Sequence, residues 1–247
     1  MTSSLAIIIA GLLVIFLAGV TFGLVGFGFT TVSVPIMIIF LPPKVVVPIA
    51  VIHGTLICIF VLAEARKWVD LKRIWSLIIA GIAGIPFGTY LLLALDVTVL
   101  KMFIGTAITV FGVALLAGFK RKIKNEKLAF APVGFVSGLL TGSMGTSAPP
   151  VTLFLTNQGV KRQVFRANLA LYLMVVALAT IPGFIISGLV TKEVLGYVIL
   201  FLPAMIVGVL IGIKLVHRVE EELFKKIVLA ILIFAGLLSI TSGLGVL

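Results

Sequence analysis

A segment rich in glycine, hydroxyls and proline occurs twice inside hydrophobic sequence of lipid-spanning length. Residues 19–40 read GVTFGLVGFGFTTVSVPIMIIF and residues 134–155 read GFVSGLLTGSMGTSAPPVTLFL. Aligned at a separation of 115 residues, Gly19 matches Gly134, Gly23 matches Gly138, Leu24 matches Leu139, Thr31 matches Thr146 and Pro35 matches Pro150. This predicts an internal duplication. Within hydrocarbon, backbone polar groups must be satisfied by the protein itself, so broken helices survive there only when packed or lining a cavity. Interruptions at matching positions of two halves therefore point to a binding site where the halves meet.

The sequence around the signatures belongs to a membrane. Apolar runs recur at 5–22, 45–63, 74–95, 97–119, 128–140, 164–188, 194–213 and 223–241. Most are long enough for a helix to cross a hydrocarbon core of roughly 30 Å. With 62% hydrophobic residues, 11% charged and a mean hydropathy of +1.36, there is too little polar surface to cover a soluble domain. The run 5–22 lacks a basic leader and continues into the first signature, which predicts a first span rather than a cleaved signal. Cys58 is the single cysteine and lies within a span, so no internal disulfide or cysteine-rich metal site is available. A net charge of +11 in a soluble chain would suggest nucleic acid. Here the basic residues flank spans and read as topology signals, without a basic, aromatic-laced domain for nucleic acid.

After each signature only a short apolar stretch follows, 30–41 and 146–156, so each half is expected to hold five segments. Two full crossings need about 40 residues, whereas 127–157 offers about 30. Either the pair crosses a thin region, or two short helices meet near the midplane as a hairpin tipped by TGSMGTS. With 120–127 cytoplasmic, the loops 65–73, 157–166 and 214–226 are cytoplasmic too, which puts 16 of the 19 basic residues inside and leaves Lys44, Lys101 and Lys192 outside. An eight-span count violates the positive-inside bias. The expected fold is thus an all-α polytopic membrane protein of two inverted repeats, each of about five helical segments, with broken or short helices meeting near the midplane. Residues 1–119 form the first repeat, 120–127 a basic linker and 128–247 the second, with both termini external. Farther along, Gly84 matches Gly208 and Gly88 matches Gly212 at a separation of 124, read as close helix contacts, with about nine extra residues in the middle of the second half.

Helices starting near Thr30 and Thr146 would aim their N-termini at one central volume. Unpaired amides and about half a positive charge at each end favour an anion, and glycine lets a ligand approach the backbone. The expected ligand-binding residues are Gly28, Thr30, Thr31 and Ser33 in the first copy and Gly142, Ser143, Gly145, Thr146 and Ser147 in the second. Thr31, Ser33, Thr146 and Ser147 can cap the helices when the site is empty. Pro35 and Pro150 are expected early in their helices, where a missing amide costs little, and Pro149 stiffens the second entry. His53 lies mid-span, and the 115-residue offset pairs it with Asn168. Polar side chains inside a span are functional candidates, and imidazole is the side chain that titrates near neutral pH. Arg166 is expected to snorkel at the cytoplasmic end.

All eight acidic residues fall at or beyond span ends. That argues against a carboxylate proton relay or a cation path. Without an HExxH motif or paired aspartates, and with only His53 and His217, no enzyme, metal site or cofactor is expected. The remaining partners are a small anion and the lipid bilayer, with a homodimer left open.

Gly19, Gly23, Gly28 and Pro35, with Gly134, Gly138, Gly142, Gly145 and Pro150, carry a family resemblance. The chain resembles the TauE/SafE family of sulfite and organosulfonate exporters along essentially its whole length. It departs from the family pattern in the second copy, where the second glycine pair is interrupted as Gly142-Ser143-Met144-Gly145-Thr146. The resemblance implies transport of a small sulfur-containing anion, such as sulfite or a sulfonate, across a prokaryotic plasma membrane. A non-transporting scaffold or subunit of a larger membrane complex is the alternative.

Overall fold

A computed structural model describes residues 2–117, 126–158 and 162–215, with scattered positions between 230 and 241. The described residues form helices α1 (Thr2–Val25), α2 (Phe29–Met37), α3 (Pro43–Ala65), α4 (Leu71–Ala94), α5 (Val97–Ala117), α6 (Glu126–Met144), α7 (Ala148–Asn157), α8 (Arg162–Ile186) and α9 (Lys192–Leu215), with a 3-10 turn at Arg66–Trp68. Six of them are long and apolar enough to cross a membrane, and the chain is an all-α, multi-pass membrane protein. Most of the expected linker 120–127, most of the basic loop 214–226 and most of the run 223–241 lie outside the described residues.

The two breaks fall at residues 26–28 and 145–147. Gly26 (φ 84°) and Gly145 (φ 69°) take left-handed conformations that a β-carbon disfavours. At the second break the Ser137 hydroxyl donates to the Ser147 carbonyl at 2.7 Å, which holds the turn back alongside α6. The helices that follow, α2 with 9 residues and α7 with 10, rise only about 14–15 Å. Each break thus joins one long helix to one short one.

Small residues weld the long helices. A β-carbon on Gly19 would lie 2.9 Å from the Met205 carbonyl oxygen, and one on Gly142 would lie 2.6 Å from the Thr89 nitrogen. Contacts of this kind press α1 onto α9 and α6 onto α4. Gly84, Gly88, Gly208 and Gly212 therefore serve as the close helix contacts their spacing predicts.

These contacts correct the repeat register. Gly23 faces Val209, Gly212 and Ile213, while Gly142 faces Ile85, Gly88 and Thr89. Gly208 faces Phe16 and Val20, while Gly84 faces Phe135 and Leu139. The two sets coincide when the first helices are offset by 119 residues and the fourth helices by 124. The glycine pairs recur every four residues, nearly one helical turn, so a slip from 119 to 115 leaves most of the pattern intact. At 119, Gly19 matches Gly138, Gly23 matches Gly142 and Gly26 matches Gly145, and the starts of α2 and α7 and of α3 and α8 also coincide. The second half then carries five extra residues between these elements (124 − 119), rather than about nine.

The sequence halves exchange their fourth helices. One core cluster gathers Ile15, Phe22, Phe29, Ile49 and Phe201 from α1, α2, α3 and α9; another gathers Ile74, Leu77, Phe130, Phe154 and Tyr172 from α4, α6, α7 and α8. Between them α3 packs on α8. Val47 and Val51, near the start of α3, share a cluster with Phe184 near the end of α8, and Asn168 near the start of α8 reaches Asp70 beyond the end of α3. The two helices therefore run antiparallel.

Candidate functional site

The short helices α2 and α7 bring three hydroxyls from the two breaks together. Thr30 donates to the Thr146 hydroxyl oxygen at 2.9 Å, and the Thr31 hydroxyl lies 3.0 Å from the same atom. Thr31 is 5% exposed and Thr146 1%, so these two hydroxyls lie away from lipid and bulk solvent, while Thr30 is half-buried. Beside it is a cavity of about 30 Å³ walled by residues including Gly28, Thr30, Gly145 and Ser147, enough for about two water molecules. No Asp or Glu is among its walls as far as the described residues go.

The donor chemistry differs between the two breaks. Gly28 and Ser147 precede the first residues of α2 and α7, and neither makes a side-chain cap. The expected capping role is therefore not used. Helix α2 opens with the amides of Phe29, Thr30 and Thr31, whereas α7 opens Ala148-Pro149-Pro150 and lacks two of the equivalent donors. The first break is thus the richer in amides. Pro35 sits at the seventh residue of α2, later than expected, and there it deprives the Thr31 carbonyl of its helical donor.

The expected residues divide by location. Gly28, Thr30, Gly145 and Ser147 wall the cavity, and Thr31 and Thr146 bond beside it. Ser33 is fully buried, and its hydroxyl has no partner among the described residues. His53 is also fully buried, and its ring centroid is 6.1 Å from that of Phe29 at the start of α2. Its Nδ1 lies 3.0 Å from the Ile49 carbonyl, an acceptor, so Nδ1 carries the hydrogen. Nε2 is left without a partner among the described residues.

Gly142, Ser143 and Asn168 depart from expectation. Gly142 presses on Ile85 and Thr89 of α4, and the backbone of Ser143 lies against Gly88. The Ser143 hydroxyl returns to the Leu139 carbonyl at 2.8 Å. These two residues belong to a helix interface because the break begins at Gly145, after them. Asn168 is not beside His53: its side-chain oxygen accepts the Asp70 amide at 2.8 Å, while His53 stands about 18 Å of helical rise before the end of α3. The corrected offset of 119 pairs His53 with Tyr172, another fully buried polar residue, whose hydroxyl donates to the Gly134 carbonyl at 3.4 Å.

Cavity residues not anticipated from sequence include Phe22, Phe29, Gly54, Cys58 and Thr141. Gly54 and Cys58 stand four apart on one face of α3, and Gly54 admits the Thr30 methyl. That spacing was legible in the sequence, but the side of α3 facing the breaks was not. Among the described residues, no group of three or more His, Cys, Asp or Glu side chains could hold a metal.

A family model described as Sulfite exporter TauE/SafE matches residues 11–239. Nothing among curated proteins or solved structures matches the chain.

Proposed function

We propose, from the premise that the chain belongs to the sulfite exporter TauE/SafE family, that it carries a small sulfur-containing anion, sulfite or an organosulfonate, across the plasma membrane of a prokaryote by alternating access. The observation that carries this reading is the cluster of half-buried Thr30 with buried Thr31 and Thr146, beside a cavity with no acidic residue among its described walls. Hydroxyl and amide donors without a carboxylate suit an oxyanion and repel nothing negative.

The two halves, 1–119 and 128–247, are inverted, with 120–127 and the basic loops cytoplasmic. The antiparallel packing of α3 and α8, which occupy matching places in the repeat, supports this arrangement. Alternating access then takes the form of one half rocking against the other around a shared site. Purified protein in liposomes tests the function directly. Saturable sulfite flux, weakened by Thr31→Val and Thr146→Val, is expected; correctly folded protein that moves neither sulfite nor a sulfonate refutes the reading and leaves a non-transporting scaffold.

A further inference from the structure

Beyond their amide donors, the two breaks differ in the side chain that packs on the turn. A β-carbon on Gly145 would lie 3.2 Å from the Val47 carbonyl oxygen and 3.5 Å from a Val47 methyl. At the other break, a β-carbon on Gly26 would lie 3.3 Å from Nε of Arg166 and 3.7 Å from its Cγ. Gly26 and Gly145 match at 119 residues, and so do Val47 and Arg166. Each is the fifth residue of its helix, α3 or α8. The same position against the same turn is thus filled by a fully buried valine in one half and by an arginine in the other.

That comparison separates packing from charge. Val47 demonstrates that an uncharged side chain of moderate size completes this turn, so the fold does not require a guanidinium. The first turn of α8, just before it, holds no acidic residue to pair with it. A snorkelling arginine lays its stem on apolar surface and delivers its head to water. Arg166 is half-buried; its Nε is buried with no partner among the described residues, and its stem crosses the turn that leads to Gly28 and the cavity. A buried donor left unpaired is unfavourable until an acceptor arrives.

We infer that Arg166 is an anion-binding residue at one mouth of the site, receiving the oxyanion before it reaches the threonine cluster, and that Val47 leaves the opposite mouth without a matching charge. The inference rests on the proposed transport of a sulfur oxyanion and adds a sidedness to it. The α8 start, beside the end of α3, faces the cytoplasm in the proposed topology. The carrier is therefore built to take up anion more tightly from the cytoplasmic side than from the outside.

The test borrows the residue of the other half. Arg166→Val and Arg166→Lys are reconstituted, and sulfite flux is measured in vesicles of each orientation, alongside equilibrium sulfite binding to the detergent-purified protein. Arg166→Val is expected to raise the cytoplasmic-side KM at least tenfold and leave the outer-side KM within twofold, with Arg166→Lys intermediate. Sulfite binding to the purified protein should weaken by a similar factor and lose most of its salt dependence. Equal KM changes on both sides, or none, overturn the inference while leaving transport intact. Should the wild type carry no sulfite, the transport reading fails, and binding that is the same in wild type and Arg166→Val overturns the arginine site as well. If the valine variant does not fold, Arg166→Gln takes its place under the same criteria.

Discussion

Replacing Thr146 with valine removes one oxygen and changes the shape of the side chain little. That oxygen is the shared partner of Thr30 at 2.9 Å and Thr31 at 3.0 Å, so one substitution strips the hydroxyl cluster of both its bonds. Each neutral hydrogen bond contributes about 0.5–1.5 kcal/mol net, and the pair sets an expected stability loss of about 1–3 kcal/mol. The effect on ligand is larger per bond. A hydroxyl donating to a charged oxyanion contributes about 1.5–3 kcal/mol, which corresponds to a loss of affinity between about tenfold and somewhat over a hundredfold. Thr30→Val, which removes one bond from the cluster and leaves Thr146 bonded to Thr31, should lie at or below the lower end of that range. Thr146→Ser should stay near wild type, because the oxygen remains. Sulfite titration of purified variants, paired with thermal melting to establish folding, reads both quantities. A Thr146→Val protein that melts normally and binds sulfite within twofold of wild type would show that the ligand does not use the threonine cluster.

His53 is fully buried, and its Nε2 has no hydrogen-bond partner within 3.5 Å among the described residues; it is expected to carry a proton with the anion, so His53→Asn should abolish pH-gradient-driven accumulation in proteoliposomes while sparing downhill flux, and undiminished accumulation would remove it from coupling. A cysteine introduced within 120–127, on a Cys58→Ser background, should react with impermeant reagents only from the cytoplasmic side, and labelling from outside intact cells would reverse the topology. Gly138→Val drives a branched side chain into the backbone at Gly81 and should eliminate folded protein on size-exclusion chromatography. By contrast, an added β-carbon on Gly183 meets nothing within 4 Å, so Gly183→Ala should leave stability unchanged or raise it by up to about 1 kcal/mol of helix propensity, read as an unchanged or higher melting point.

Composition and run lengths alone determined that this chain is helical and membrane-embedded, since apolar sequence of this length has few other ways to satisfy its backbone in lipid. Residue chemistry brought the breaks to within a few residues, because glycine and hydroxyls around Gly28–Ser33 and Gly142–Ser147 have no other reason to interrupt apolar sequence, and the lack of mid-span acids set the expectation of an anion. The repeat register was beyond the sequence: glycines spaced by one helical turn make a four-residue slip nearly invisible in an alignment, and only contacts between α1 and α9 and between α4 and α6 distinguish 115 from 119. From that slip followed the misplacement of Asn168. Gly142 and Ser143 looked like tip residues because small residues serve helix packing and ligand approach equally well, and their facing α4 was decided by the exchange of fourth helices between halves. Arg166 read as a topology charge until the tertiary structure laid it over Gly26, opposite a valine that fills the same place in the other half. One-dimensional sequence records which residues can break, cap or donate; which of them share a volume depends on the packing of long helices far apart in the chain.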